Sequence, residues 1–185
     1  MLSQISTANQ FLNNGKIILY PTDTVWGLGC DATNTQSIAK IYQLKNRVES
    51  KSLIVLMSSL HMLKKYVSVP KKAIEILNNT RTPTTIIYQN PRGFAKNTIA
   101  SDNSIAIRIT NDDFCRKLIK RFGKPIVSTS ANISGEDTPK SFSEIGKTIL
   151  DSVDYIVKLE KNKGTNSSSR ILRILKNNQI EVVRE

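Results

Sequence analysis

The sequence predicts an α/β fold with a mixed β-sheet flanked by helices, and three observations predict it. Short β-branched runs such as KIILY, LIVLM and TTIIY are separated by segments with helical spacing of apolar residues. Strands and helices interleave without strict alternation, which argues for a sheet of mixed rather than purely parallel strands. Apolar residues make up 39% of the 185 and spread along the whole length, so one domain over 1–185 can bury a core.

Residues 3–14 read as a helix stopped by Gly15, and KIILY at 16–20 as the first strand. A long loop, PTDTVWGLGCDATN, follows. Ile38, Ile41, Tyr42 and Leu44 recur at helical spacing, giving a helix over 35–44 capped by Asn34 or Thr35. It leads into a second loop carrying Lys45 and Arg47, then into the strand LIVLM. Ser68 and Pro70 open a helix running to about Asn78. TTIIY (84–88) and SIAIRI (104–109) are strands. Asn111 is the expected cap of a basic helix that Gly123 closes. PIVST at 125–129 is a buried strand entering the polar loop SANISGEDTPK. Ser141 and Glu144 have capping-box spacing for a helix to about Leu150. DYIVKL, RILRIL and IEVVR close the chain as strands, the last two joined through Asn177 and Asn178 in a hairpin turn.

Composition removes several function classes. His61 is the sole histidine, so Ser–His and Cys–His nucleophile systems and a histidine-rich zinc site lack their parts. Cys30 and Cys115 stand far apart and read as buried small hydrophobes. The first sixteen residues carry no signal-peptide pattern and no apolar run could span a bilayer, so a cytoplasmic protein without a membrane partner is expected. GKT at 146–148 lacks the upstream glycine of a phosphate-binding loop. GLGCDA at 27–32, with Glu49 beyond, fits a relaxed dinucleotide fingerprint, but the following helix starts too late to meet a pyrophosphate. The net charge of +12 attracts polyanions, nucleotide or RNA alike. Arg116, Lys117, Lys120, Arg121 and Lys124 concentrate part of it on one helix, read as a solvated face in preference to an RNA-binding stripe.

What remains is a set of loops at strand ends, rich in hydroxyls and fixed positive charge. Thr22, Asp23 and Thr24 form one; Lys45, Arg47 and Lys51 a second; Ser128, Thr129, Ser130 and Asn132 a third; Ser167, Ser168 and Ser169 a fourth. Hydroxyls and exposed backbone N–H groups cradle phosphate or carboxylate oxygens, and such loops commonly converge on one crevice of an α/β sheet. Asp23 suits either a metal or a loop cap. The small polar stretch at 161–170 reads as a surface loop or one that closes over a ligand.

YPTDTVWGLGCDATN, the K-x-R of LKNR, STSANISG, AIRI and the terminal VVR together resemble the signature of the YrdC/TsaC threonylcarbamoyl-AMP synthases in their short form. Trp26 stands where that pattern usually has Tyr, Val48 where proline commonly follows K-x-R, and Leu56 where longer forms can carry a threonine-contacting histidine. SSSRILR departs from the usual S-T-I-V-D through Arg170 and Arg173. The resemblance implies a YrdC-like fold with a concave cleft. It also implies condensation of L-threonine, bicarbonate and ATP to threonylcarbamoyl-AMP and pyrophosphate, with Mg²⁺, for threonylcarbamoylation of tRNA adenosine 37 by partner proteins. Carried over residue by residue, Lys45, Arg47, Ser130 and Asn132 form the catalytic set. Those four with Lys51, Ser104, Thr138 and Arg184 would contact ATP, and Thr24, Arg108, Ser128 and Ser169 would hold threonine. The rival readings are a non-catalytic RNA-binding module and a carbamoyl-transfer domain of a larger enzyme.

Overall fold

The computed structural model describes residues 1–47, 53–159, 168–175 and 179–185. Helix α1 (Leu2–Asn13) buries Ile5, Ala8 and Leu12 and ends before Gly15, whose φ of +66° suits glycine. Strand β1 (Ile18–Tyr20) is followed by β2 (Gly27–Gly29), a short strand inside the stretch that the sequence suggested was loop. Its glycines are the reason it was hidden, and also the reason it forms. A Cβ at Gly29 would lie 2.5 Å from Tyr20 Cε1 and 2.9 Å from the Val127 carbonyl, so only glycine lets β1 and its neighbours close up here. These glycines therefore serve strand packing, and the dinucleotide reading of GLGCDA falls away.

Helix α2 (Thr35–Leu44) starts where Asn34 accepts the Ser37 N–H, as expected. After β3 (Ile54–Met57) comes α3 (Leu60–Tyr66), which the sequence reading passed over and which contains His61; Ser59 caps it. Helix α4 (Lys71–Asn79), β4 (Thr84–Gln89) and β5 (Ser104–Ile109) follow the expected order. Helix α5 (Asp113–Phe122) is capped by Asp112, which accepts from the Cys115 N–H at 2.7 Å, so the expected Asn111 cap is corrected by one residue. Gly123 closes it at φ +76°. After β6 (Ile126–Ser130) the expected helix from Ser141 is also corrected. Ser141 and Glu144 do bond, at 2.9 Å, but around a single 3-10 turn, and α6 (Lys147–Ser152) begins only after Gly146. Strands β7 (Tyr155–Ile156), β8 (Arg170–Ile174) and β9 (Ile180–Arg184) complete the chain. β8 and β9 pair antiparallel; residues 176–178, with Asn177 and Asn178, lie outside the described ones.

The nine strands run in the order β7-β1-β2-β6-β3-β5-β4-β8-β9. β1–β7, β3–β5 and β4–β8 are parallel and the other pairs antiparallel, so the sheet is mixed. Two registers run across its centre. Ser128, Ile54, Ala106, Ile87 and Arg173 lie side by side on successive strands, and Ile126, Leu56, Arg108, Thr85 and Ile171 form the next row. Because side chains alternate along a strand, Val55, Ile107, Ile86, Leu172 and Val127 turn the other way, into the core that α5 and α1 complete with Phe114, Leu118, Ile5 and Leu12.

Candidate functional site

The first of the two cross-sheet rows, with Arg108 and Ile171 of the second, forms the floor of a cleft of about 360 Å³. Ile54, Ala106 and Ile87 give it an apolar centre. Around them stand Thr24, Ser128, Thr129, Ser130, Ser168 and Ser169, with four guanidinium groups, Arg47, Arg108, Arg173 and Arg184. Among the described residues no carboxylate lines it. Gly27 also lines it, and a Cβ there would sit 3.1 Å from Ser128 Oγ, so its missing side chain keeps the floor open.

Lys45 and Arg47 leave α2 in the direction of the loop after β6. The Lys45 ammonium donates to the Ser130 carbonyl at 2.6 Å and the Asn132 carbonyl at 2.5 Å, while Ser134 N–H donates to the Lys45 carbonyl at 2.8 Å. The K-x-R and S-x-N segments, expected to meet, are thus joined. Lys45 is only 1% exposed and is not among the lining residues. Burial, and then the Arg47 charge, push its pKa down to about 8, with Glu136 opposing. Arg47 lines the cleft, and burial lowers its pKa as well. Asn132 is half-buried behind the wall. Its Nδ2 donates to the Ile133 and Glu136 carbonyls, and its Oδ1 is buried without a hydrogen-bond partner among the described residues.

Arg108 is 3% exposed yet sits in an otherwise apolar strand run. Its Nη1 donates to Thr24 Oγ1 at 3.1 Å, and its Nη2 lies 3.3 Å from Asp23 Oδ1. Its Nε is buried with no hydrogen-bond partner among the described residues. An unsatisfied guanidinium edge inside a cleft is an incomplete donor set that a carboxylate would complete. Asp23, left open between metal and cap, is thus the counter-ion of Arg108; its Oδ2 accepts from the Asn111 N–H at 3.3 Å. Thr24 is fixed by Thr22, whose hydroxyl lies 2.9 Å away and donates to the Val25 carbonyl at 2.7 Å.

On the far wall, Ser169 is buried, with Oγ 2.8 Å from Thr85 Oγ1. Arg184 donates to the Ser169 carbonyl from Nη2 at 2.8 Å and Nε at 3.1 Å. Burial lowers the Arg184 pKa, and the like charge of Arg108 adds to this. Of the expected site residues, Thr24, Arg47, Arg108, Ser128, Ser130, Ser169 and Arg184 line one cleft. Ser104 lies two residues along β5 from the lining Ala106, buried, with its hydroxyl 2.5 Å from Asp102 Oδ1. Thr138 is half-buried and does not line the cleft. Lys51 and Ser167 lie outside the described residues. Arg173, noted in the sequence only as a departure from the family pattern, and Gly27 were not expected among the site residues. The i, i+2 spacing from Ile171 to Arg173 on one strand was the available signal, because it puts both on one face.

Elsewhere, Cys30 and Cys115 are buried and unbridged, with thiol pKa values raised by burial. On α5, Lys117 pairs with Asp113 at 2.7 Å and Lys124 with Asp31 at 2.8 Å; Arg116, Lys120 and Arg121 face solvent. Among the described residues no three His, Cys, Asp or Glu side chains cluster as metal ligands, and no helix is long and apolar enough to cross a membrane.

A mixed sheet whose open face carries an arginine- and hydroxyl-lined cleft defines an α/β protein with a cleft suited to small anionic ligands. The family model described as "Telomere recombination", of Sua5, YciO and YrdC, matches residues 10–185, and the chain belongs to that family. The threonylcarbamoyl-AMP synthase of Pseudoalteromonas translucida is 35% identical over 159 residues, 84% of this chain and 85% of that one. The protein of the same name from Idiomarina loihiensis is 33% identical over 168 residues, 89% of each chain. Among solved structures, P. abyssi Sua5 complexed with L-threonine superposes with a TM-score of 0.88 at 23% identity, over 97% of this chain and 53% of that chain. This chain therefore spans about half of that protein's length. E. coli YciO superposes with a TM-score of 0.83 at 22% identity, over 100% of this chain and 90% of that chain.

Proposed function

We propose that this protein is a threonylcarbamoyl-AMP synthase, and the junction of the K-x-R and S-x-N segments at one wall of an arginine-lined cleft carries the reading. The amine of L-threonine and bicarbonate condense to a carbamate with loss of water. A carbamate oxygen then attacks the α-phosphorus of ATP, the bond to the β-phosphate bridging oxygen breaks, and pyrophosphate leaves. Both reactants are anions, so the barrier is largely repulsion, and catalysis is positioning with charge neutralisation.

The parts fit that task. Arg108 and Thr24, with Ser128 and Ser169, take the threonine carboxylate and hydroxyl. Arg47, Ser130 and Arg184 hold the nucleotide, with Ser104, Thr138 and Lys51 as further contacts. Lys45 and Asn132 act from behind the wall: the buried ammonium fixes the Ser130–Asn132 backbone and adds positive potential. Mg²⁺ enters as part of the MgATP substrate, since the described lining residues offer hydroxyls and guanidinium groups and, among them, no carboxylate cage. The product is a mixed anhydride that a tRNA-modifying partner consumes. The non-catalytic RNA-binding alternative is not favoured, because relatives covering most of the chain are named as synthases.

Incubation with ATP, threonine and ¹³C-bicarbonate tests the reading. Mass spectrometry should find an AMP adduct of threonine carrying the label, and a labelled carbamate that never acquires AMP would refute it.

A further inference from the structure

Arg173 stands in the cleft, on β8. Its register fixes where it points. It is the last residue of the row Ser128–Ile54–Ala106–Ile87–Arg173, so it faces the same side as the apolar floor. Four strand spacings of about 4.8 Å separate it from Ser128, about 19 Å in all. The cleft is therefore cationic at both ends.

The local partners of Arg173 leave much of its donor capacity open. Its Nη1 meets Glu181 Oε2 at 3.4 Å, a long contact between side chains 38% and 47% exposed. Exposed pairs of this kind contribute little. Its Nε is buried with no hydrogen-bond partner among the described residues. The second nearby acid is Asp102, whose carboxyl is held below its usual range by the Ser104 hydroxyl first, with Arg173 adding to it. Asp102 is itself tied to Ser104 through both the hydroxyl and the backbone N–H. Among the described residues Arg173 is thus held by one weak, solvent-screened contact, and has a guanidinium edge to offer.

We propose that Arg173 forms an additional phosphate-binding subsite at the β8 end of the cleft, which takes a phosphate group of the nucleotide. Glu181 is the resident counter-ion that the phosphate displaces. A guanidinium bonds phosphate oxygens through two parallel N–H donors, a stronger interaction than its single long contact with Glu181. This rests on the nucleotide site proposed above, and deepens it by naming a further contact.

Equilibrium titration of the full chain with MgATP and, separately, with adenosine tests it. Arg173→Gln should weaken MgATP binding about tenfold, the loss of one charge-assisted contact, and leave adenosine binding within about twofold. Glu181→Gln should tighten MgATP binding, because the competing carboxylate is gone. Thermal unfolding of both variants should match the parent. Equal loss for ATP and adenosine, or unchanged ATP binding in Arg173→Gln, would overturn the subsite. If the parent protein binds no MgATP, the nucleotide site itself is wrong and the subsite falls with it.

Discussion

The Lys45 ammonium lies 2.5 Å from the Asn132 carbonyl, 87 residues further along the chain. One side chain thus ties the end of α2 to the loop after β6, with the Ser130 carbonyl at 2.6 Å as its second acceptor. A buried cation with two carbonyl partners is costly to remove, because both acceptors are left without a donor. Lys45→Ala should therefore lower both the melting temperature and kcat/KM, the latter at least about tenfold. Lys45→Arg, which keeps charge and donors, should recover part of both. Full activity in Lys45→Ala would show that the loop needs no tie.

Arg47 differs from Lys45 in lining the cleft. Arg47→Ala should raise the KM for ATP and lower kcat/KM at least about tenfold. The contrast between two residues only two apart separates direct contact from positioning.

The Lys45 pKa of about 8 lies below the 10.5 of an exposed lysine, so its protonated form is the disfavoured one in the fold. The folded state then binds fewer protons than the unfolded chain between about pH 8 and 10.5. The penalty is full below pH 8 and fades as pH rises through that window, so Lys45 contributes increasing stability there. Nucleotide affinity should run the opposite way, falling as pH passes about 8 and the positive charge is lost. Titrations with MgATP across pH 7 to 9 check this, and Lys45→Arg should flatten the profile.

Arg108 and Asp23 make a buried ion pair, 3.3 Å apart, at the proposed threonine carboxylate site. Arg108→Gln should raise the KM for threonine at least about tenfold while the KM for ATP changes much less. Asp23→Asn should act on the same parameter, because it frees the guanidinium to move.

Much of this was legible in sequence where local chemistry decides structure. The 35–44 helix, its Asn34 cap and the Gly123 stop came from periodicity and capping residues alone. The convergence of the four loops was legible as well, through hydroxyl- and cation-rich segments at strand ends. Strand β2 was not, because GLG has low strand propensity and forms only where neighbouring strands demand close approach. Ser141 and Glu144 gave a true side-chain contact and a false helix length, since Gly146 restarts the backbone. The burial of Lys45 was equally hidden: nothing in LKNR separates a lysine that touches a ligand from one that ties down the loop beside it.

Pyrophosphate release from MgATP, measured with threonine and bicarbonate each left out in turn, tests the central claim most directly. The arginine-lined cleft predicts release only when both are present. Release that proceeds at the same rate without either would contradict it.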